Sequence, residues 1–287
     1  MAFAGVVPAS RPVPSPYGLF SVAKVNNHGG RDEHWAGGFA YDSELCNVEG
    51  SVIDVCGGAP LVFQEPEDFT DSKVTPFGIR VMNECLSIGY SAIDWKARTI
   101  RQLELITQKG VEAELWAGAY SSTINGENQF LASDAAVDVT GGSRDTPGAA
   151  VNPKVGIALL EQAIAECGSG TQGTLHVPPA VGALFGLPED SEIGDQLHTF
   201  NGNLVAIGTG YDGRGPGDQD PPDDWFTPWI YATGPVTVDL GPSELVSPDF
   251  GSAVNPRTND MAFVAVRPAS VFWDGCCHFA VQVDIRE

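Results

Sequence analysis

From Ala92 to Trp116 the chain carries no proline, and Ile93, Ile100, Leu103, Ile106, Val111 and Leu115 recur at spacings that form one broad apolar face. This periodicity predicts a single helix of about 25 residues, a rod of roughly 37 Å. Ser91, with Asp94 three residues on, reads as a capping box at its start, and Gly110 is a mild cost inside it. A second helical run, GIALLEQAIAEC, has clear limits. Asn152 can cap it, Pro153 suits the first helical position, and Gly168 suits the stop.

The other apolar pieces are short. GTLHV reads as a strand and PPAVGALFG as a short helix. HTFNGNLVAIGTG places Asn201-Gly202 between two apolar runs, a hairpin signal. WIYATGPVTVDLG and MAFVAVRPASVFWDGCCHFAVQVDI supply further strands. With no internal repeat and no βαβ alternation, the fold class is α+β. Four prolines between Pro8 and Pro16, then Asn26-Asn27-His28-Gly29-Gly30 and HWAGGFAYDSELC, make residues 1–60 an extended arm. Pro60, Glu65, Pro66, Glu67, Asp68 and Asp71 mark an exposed excursion, a long hairpin, before Pro76.

Charge narrows the function classes. Among 287 residues, 15 Lys and Arg face 37 Asp and Glu, a formal charge of −22. That balance opposes phosphate-backbone binding and anionic membrane surfaces, which need clustered cations. Self-association would need large apolar or hydrogen-bonded interfaces to offset the repulsion. No apolar run approaches the roughly 20 residues of a membrane span. The N-terminus lacks a basic leader region, so a cytoplasmic origin is expected. Four basic residues, Lys96, Arg98, Arg101 and Lys109, fall on the long predicted helix. Six cysteines (Cys46, Cys56, Cys85, Cys167, Cys276, Cys277) are too sparse for a disulfide scaffold. One of Cys276 and Cys277, within an apolar run, is expected to face the core.

Candidate chemistry is thin. Gly208-x-Gly210-x-x-Gly213 has the dinucleotide spacing, but RGPGDQDPPDDW follows it, which cannot open a helix for a pyrophosphate. Between Val155 and Pro256 the one basic residue is Arg214, against 14 acidic ones. The segment therefore reads as a strand exit into a loop. Asp212, Asp218, Asp220, Asp223 and Asp224 offer oxygen ligands for Ca²⁺ but not EF-hand spacing, and read as a solvated loop. His34, Cys46 and Cys56 lie too far apart for structural zinc. Cys276 and His278 can share a strand face, where core packing is the expectation. There is no G-x-S-x-G elbow and no triad context for any of the five histidines. Trp225, Phe226, Trp229 and Tyr231 form an aromatic cluster suited to a binding patch, a core edge or a subunit interface. No catalytic, cofactor-binding or metal-binding residue is assigned, and no enzyme activity is expected.

VGIALLEQAIAECGSGTQGTLHVPPAV, GNLVAIGTGYDG, WIYATGPVTVDLG and VRPASVFWDGCCHFAVQVD, with HWAGGFAYDSELC nearer the start, resemble phrases of the tailed-bacteriophage major capsid family. The sequence is similar to head proteins of phages that infect actinobacteria, and encapsulins share the fold. The resemblance implies an N-arm at 1–58, an extended loop at 59–90 and a peripheral domain with its spine helix at 91–125. An axial domain would follow at 126–250, with return strands of the peripheral domain at 251–287. It further implies a structural virion protein that self-assembles as hexamers and pentamers into an icosahedral head, enclosing double-stranded DNA without sequence-specific binding. Assembly would occur in the host cytoplasm, with portal, scaffold or decoration proteins as further partners. A tail-tube, minor head or decoration protein and an encapsulin-like shell are the alternatives. Under this resemblance Lys73 falls in the extended loop, the basic residues of the spine helix can pair with acidic excursions of another copy, and the 212–224 loop points toward a neighbouring subunit.

Overall fold

The structure is a computed structural model that describes residues 12–29, 34–41, 72–86, 94–121, 128–141, 148–167, 171–184, 192–193, 196–218, 220–246, 254–255 and 260–286. The first half contains α1 (Leu19–Val22), β1 (Lys24–Asn27), α2 (His34–Gly37), β2 (Phe39–Tyr41), β3 (Ser72–Val74), β4 (Phe77–Leu86), α3 (Trp95–Ala117) and β5 (Val137–Asp138). Then come α4 (Pro153–Cys167), β6 (Thr174–Val177), α5 (Pro179–Gly182), β7 (Glu192–Ile193), β8 (Gln196–His198) and β9 (Leu204–Ile207). The chain closes with β10 (Trp229–Thr233), β11 (Val236–Leu240), β12 (Glu244–Leu245), β13 (Val254–Asn255), β14 (Asp260–Trp273) and β15 (His278–Gln282).

The long helix forms as its periodicity requires, over 23 residues. Its cap is Asp94 itself, whose Oδ1 accepts from Ala97 N at 3.0 Å. An aspartate at the N-cap reaches the third helical amide by itself; Ser91, expected to form a capping box with Asp94, lies outside the described residues. The helix ends at Gly118, left-handed at φ 57°, whose N–H returns to Glu114 O at 2.8 Å. Gly110 has a packing reason: a Cβ there would lie 3.1 Å from Ile79 Cδ1, so its absence lets β4 lie close against α3. The second helix begins at Pro153 as read, and Asn152 Oδ1 accepts from Lys154 N at 3.0 Å.

Two sheets carry the fold. In the six-stranded sheet, ordered β1-β11-β14-β12, β14 also pairs with β4 and β13. The seven-stranded sheet runs β5-β15-β10-β6-β9-β8-β7. The hairpin at Asn201-Gly202 is present, with β8 antiparallel to β9 and Gly202 at φ 87°.

The expected boundary at 250/251 does not divide these sheets. β10 and β15 pair in the seven-stranded sheet, whereas β11 and β14 pair in the six-stranded one. Besides the passage from β4 through α3 to β5, the chain crosses directly between the sheets at 233–236 and 273–278, because each long apolar run is broken by a turn (Gly234-Pro235, Asp274-Gly275) that sends its two halves to different partners. Of the segment 59–90, residues 72–86 are described. Residues 77–86 there form β4, registered along β14 from Phe77↔Ala269 to Leu86↔Asp260.

Two cores result. One gathers Leu103, Val111, Leu115 and Trp116 of α3 against Val238, Ala265, Ala269 and Val271 of the six-stranded sheet. The other gathers Leu160 and Ile164 of α4 against Leu175, Val205, Ile230 and Val281. Alternation along β10 joins them: Ile230 and Ala232 face the second core, Trp229 and Tyr231 the first.

Candidate functional site

The glycine motif sits where the two cores meet. Leaving β9, the chain turns at Gly208 and passes α3 at Gly210, where a Cβ would lie 2.5 Å from Lys109 O and 2.7 Å from Ala113 N. That glycine is required by close approach to a helix backbone, not by a phosphate. Gly210 N donates to Glu112 Oε2 at 2.9 Å, and Thr209 Oγ1 donates to the same oxygen at 3.2 Å. The other oxygen, Oε1, accepts from Leu19 N and from Gln108 Nε2, each at 3.0 Å. One buried carboxylate thus fastens the N-terminal segment, the long helix and the 208–213 loop. Burial pushes the Glu112 carboxyl up, while these four donors act in the opposite sense.

Beside this joint lies a buried polar chain. His176 Nδ1 is 3.0 Å from Tyr211 Oη and its Nε2 is 2.9 Å from Thr233 Oγ1. His278 Nε2 is 2.8 Å from Leu131 O. Burial pushes His176 down to about 3, with His278 adding to the shift, and pushes His278 down to about 4. Both imidazoles are therefore neutral near pH 7 and serve as hydrogen-bonding core residues.

The acidic loop divides. Its first part is tied inward: Asp212 takes Arg214 Nε at 2.8 Å and Nη2 at 2.6 Å, Asp218 Oδ2 accepts from Gly215 N at 3.1 Å, and Tyr231 Oη donates to Arg214 O at 3.0 Å. Asp220, Asp223 and Asp224 are exposed, as are Trp225 and Phe226, while Trp229 and Tyr231 belong to the core. The four aromatics are thus not one patch, because the strand begins at Trp229 and buries everything after it.

Two further clusters were not legible as sites. Asp239, 3% exposed, accepts from Asn26 Nδ2 at 3.1 Å and from Tyr41 Oη, and lies 2.7 Å from His28 Nε2. Tyr41 also meets Ser270 Oγ at 2.9 Å and stacks on Phe272 at 4.4 Å. This cluster fastens the segment 24–41 to the six-stranded sheet. Asp239 is a lone acid inside an apolar strand pattern, whereas Glu112 is one of three glutamates in α3 and nothing local marks it out. In the second cluster Cys167, at the end of α4, forms a disulfide with Cys277. Cys276 and Cys277 lie in a turn rather than a strand, so the expected shared face of Cys276 and His278 does not arise; Cys277 is buried and Cys276 exposed. The Sγ atoms of Cys167, Cys276 and Cys277 lie within 4.8 Å of one another. Cys46, Cys56 and the side chains of His34 and Cys85 lie outside what is described.

Arg98, Arg101 and Lys109 are exposed on one face of α3, with half-buried Leu105 in the same row. Lys73 is exposed on β3, opposite Ala40 of β2. Among the described residues no helix is long and apolar enough to cross a membrane.

No family model and no curated protein sequence matches the chain. Solved structures do. The capsid of an empty GTA particle superposes with a TM-score of 0.59 at 12% identity, covering 99% of this chain and 95% of that one. The capsid of Ralstonia phage GP4 gives 0.55 at 11% identity, covering 99% and 94%. The chain has the tailed-phage capsid fold. The SrpI encapsulin from Synechococcus elongatus shares it, with a TM-score of 0.52 at 14% identity over 100% and 94% of the two chains. In this capsid fold α3 and the six-stranded sheet form one body, α4 and the seven-stranded sheet the other, and Glu112 sits at their joint.

Proposed function

We propose that this chain is a major capsid protein, a non-enzymatic subunit that assembles through hexamers and pentamers into an icosahedral phage head around double-stranded DNA. The observation that carries the reading is the match of the capsid fold over 99% of the chain, with no extra domain left over among the described residues. On this reading the α3 sheet is the peripheral domain, the α4 sheet the axial domain, and residues before β1 the N-arm. The excursion between β2 and β3 is then the extended loop, with its base at the β2–β3 pair. Its acids Glu65, Glu67, Asp68 and Asp71 are complementary to Arg98, Arg101 and Lys109 of a neighbour. The net charge of −22 suits a wall that encloses packed DNA without gripping it. Mature product resides in the virion after assembly in the host cytoplasm, and portal, scaffold and decoration proteins are its further partners.

The encapsulin neighbour, matched over 100% of this chain, favours a second reading: a compartment shell built by the chain alone. Expression of the full chain followed by negative-stain microscopy tests both. Closed shells or capsomers are expected; a monodisperse monomer across all salt concentrations would sink both readings. Shells filled with protein cargo rather than DNA in the native source would favour the second.

A further inference from the structure

The β8–β9 turn presents Phe200 with 90% of its surface exposed. A phenyl ring in that position on a loose loop would be unremarked, but this turn is fastened on every side. Thr199 N donates to Asn203 O at 2.8 Å, and Gly202 N to Thr199 O at 3.0 Å. Gly173 N donates to Asn203 Oδ1 at 2.9 Å. Glu161 of α4 accepts from Thr199 Oγ1 and, at 2.9 Å, from Asn201 Nδ2. The ring is therefore held out by a rigid support, which lowers the ordering cost of inserting it into a partner.

At the opposite edge of the same sheet lies an open apolar groove of about 520 Å³, lined by Val139, Leu159, Ala163 and Phe279 with exposed Gln162 and Glu166 beside them. Phe279 belongs to β15, which pairs with edge strand β5, whereas the hairpin belongs to β8 and β9 near the other edge. Five strand steps separate β5 from β8, roughly 24 Å at about 4.8 Å per step. α4 links the two features. Glu161, which supports the turn, and Leu159, which lines the groove, project about 200° apart on the helix.

We propose that Phe200 of one copy inserts into the Val139–Leu159–Ala163–Phe279 groove of the next copy. This rests on the head-shell reading. A projection at one edge and a recess at the other make a heterologous contact, the kind that closes into a ring when each copy is rotated relative to the last. The area involved also selects the occupant. One aromatic buries about 150–250 Å², far below the roughly 1,200 Å² of a stable pairwise interface. The contact is thus too small to hold an isolated pair, and becomes effective when repeated around a capsomer of identical chains.

The test is photo-crosslinking in the full chain. A light-isotope chain carrying Phe200→p-benzoylphenylalanine is mixed with a heavy-isotope unsubstituted chain, assembled, irradiated and digested. The expected product joins a light peptide containing position 200 to a heavy peptide containing Leu159 and Ala163 or Phe279. Crosslinks that fall elsewhere, or only within one chain, overturn the proposal. Phe200→Ala and Ala163→Trp, each shown to be folded by circular dichroism, should lower the yield of particles at least tenfold. Particles formed by both variants at the parental yield also overturn it, while leaving the head-shell reading standing. If the parent forms no capsomers or particles, the head-shell reading fails and the contact, which needs a ring of copies, fails with it.

Discussion

The backbone N–H of Gly210 donates to Glu112 Oε2 at 2.9 Å, so an amide of the glycine loop is directed to a carboxylate of the protein's own long helix. The motif spacing is that of a dinucleotide loop; its use is internal. With Oε1 on Leu19 N, the carboxylate closes a three-way joint between the N-terminal segment, α3 and the loop that leaves the seven-stranded sheet.

Glu112→Ala should therefore strand buried donors from two segments at once, at a cost of about 1–3 kcal/mol for each. Hydrogen exchange would read this directly: the Leu19 and Gly210 amides should lose protection together, although they come from distant parts of the chain. Glu112→Gln keeps one carbonyl acceptor and should unprotect one amide more than the other. Unchanged protection at both amides in Glu112→Ala would remove the joint from the account.

Acid should destabilise the fold through the buried histidines. His176 and His278 are held down at about 3 and about 4, against 6.5 when exposed. A lowered folded value means that the unfolded chain binds more protons below pH 6.5. Their stabilising contribution is thus present above that pH and lost as the pH falls, down to about 4 for His278 and about 3 for His176, by up to about 1.4 kcal/mol per pH unit for each site. Glu112 has the opposite sign, since its raised value favours the folded state as it protonates. Thermal unfolding midpoints at pH 7, 6 and 5 should fall steadily, and His176→Gln should flatten the profile. A midpoint independent of pH over this range would contradict the buried neutral assignment.

Tyr41→Phe keeps the stack on Phe272 and deletes the hydroxyl shared by Asp239 and Ser270. The expected loss is about 1.5–3 kcal/mol, the range for a hydrogen bond to a charged group. Asp239→Ala removes the acceptor for Asn26, His28 and Tyr41 together and should expose the segment 24–41 to protease under conditions where the sheet remains folded. Equal proteolysis of parent and Asp239→Ala would show that the segment is held by the β1–β11 pairing alone.

Local signals carried the elements well. The Asn152-Pro153 start of α4, the Asn201-Gly202 turn and the apolar rows of α3 each depend on neighbours within a few residues, so they could be read in order along the chain. The assignment of strands to sheets could not. Nothing local distinguishes Ile230 and Tyr231, which face different cores, or tells that β11 leaves its neighbour β10 for β14. The roles of Glu112 and Asp239 were not readable locally because their donors, Leu19, Gly210, Asn26 and Tyr41, come from distant segments. The family phrases pointed to the capsid fold, and strand pairing across long separations is what the local signals could not supply.

Reduction should weaken the α4 body specifically. Cys167 and Cys277 are 110 positions apart, so their bridge closes a long loop that includes most of the seven-stranded sheet. Cross-links of this span contribute typically about 2–4 kcal/mol by restricting the unfolded chain. Dithiothreitol should lower the urea midpoint accordingly, and Cys167→Ser should reproduce the effect without reductant. If assembly takes place in the host cytoplasm, as proposed, where thiols are kept reduced, newly assembled particles from lysed cells should show free Cys167 under alkylation, and particles held in air should lose that reactivity. A chain whose urea midpoint is the same with and without reductant would mean that packing of Ile164 and Val281 fixes the end of α4, with the bridge contributing nothing measurable.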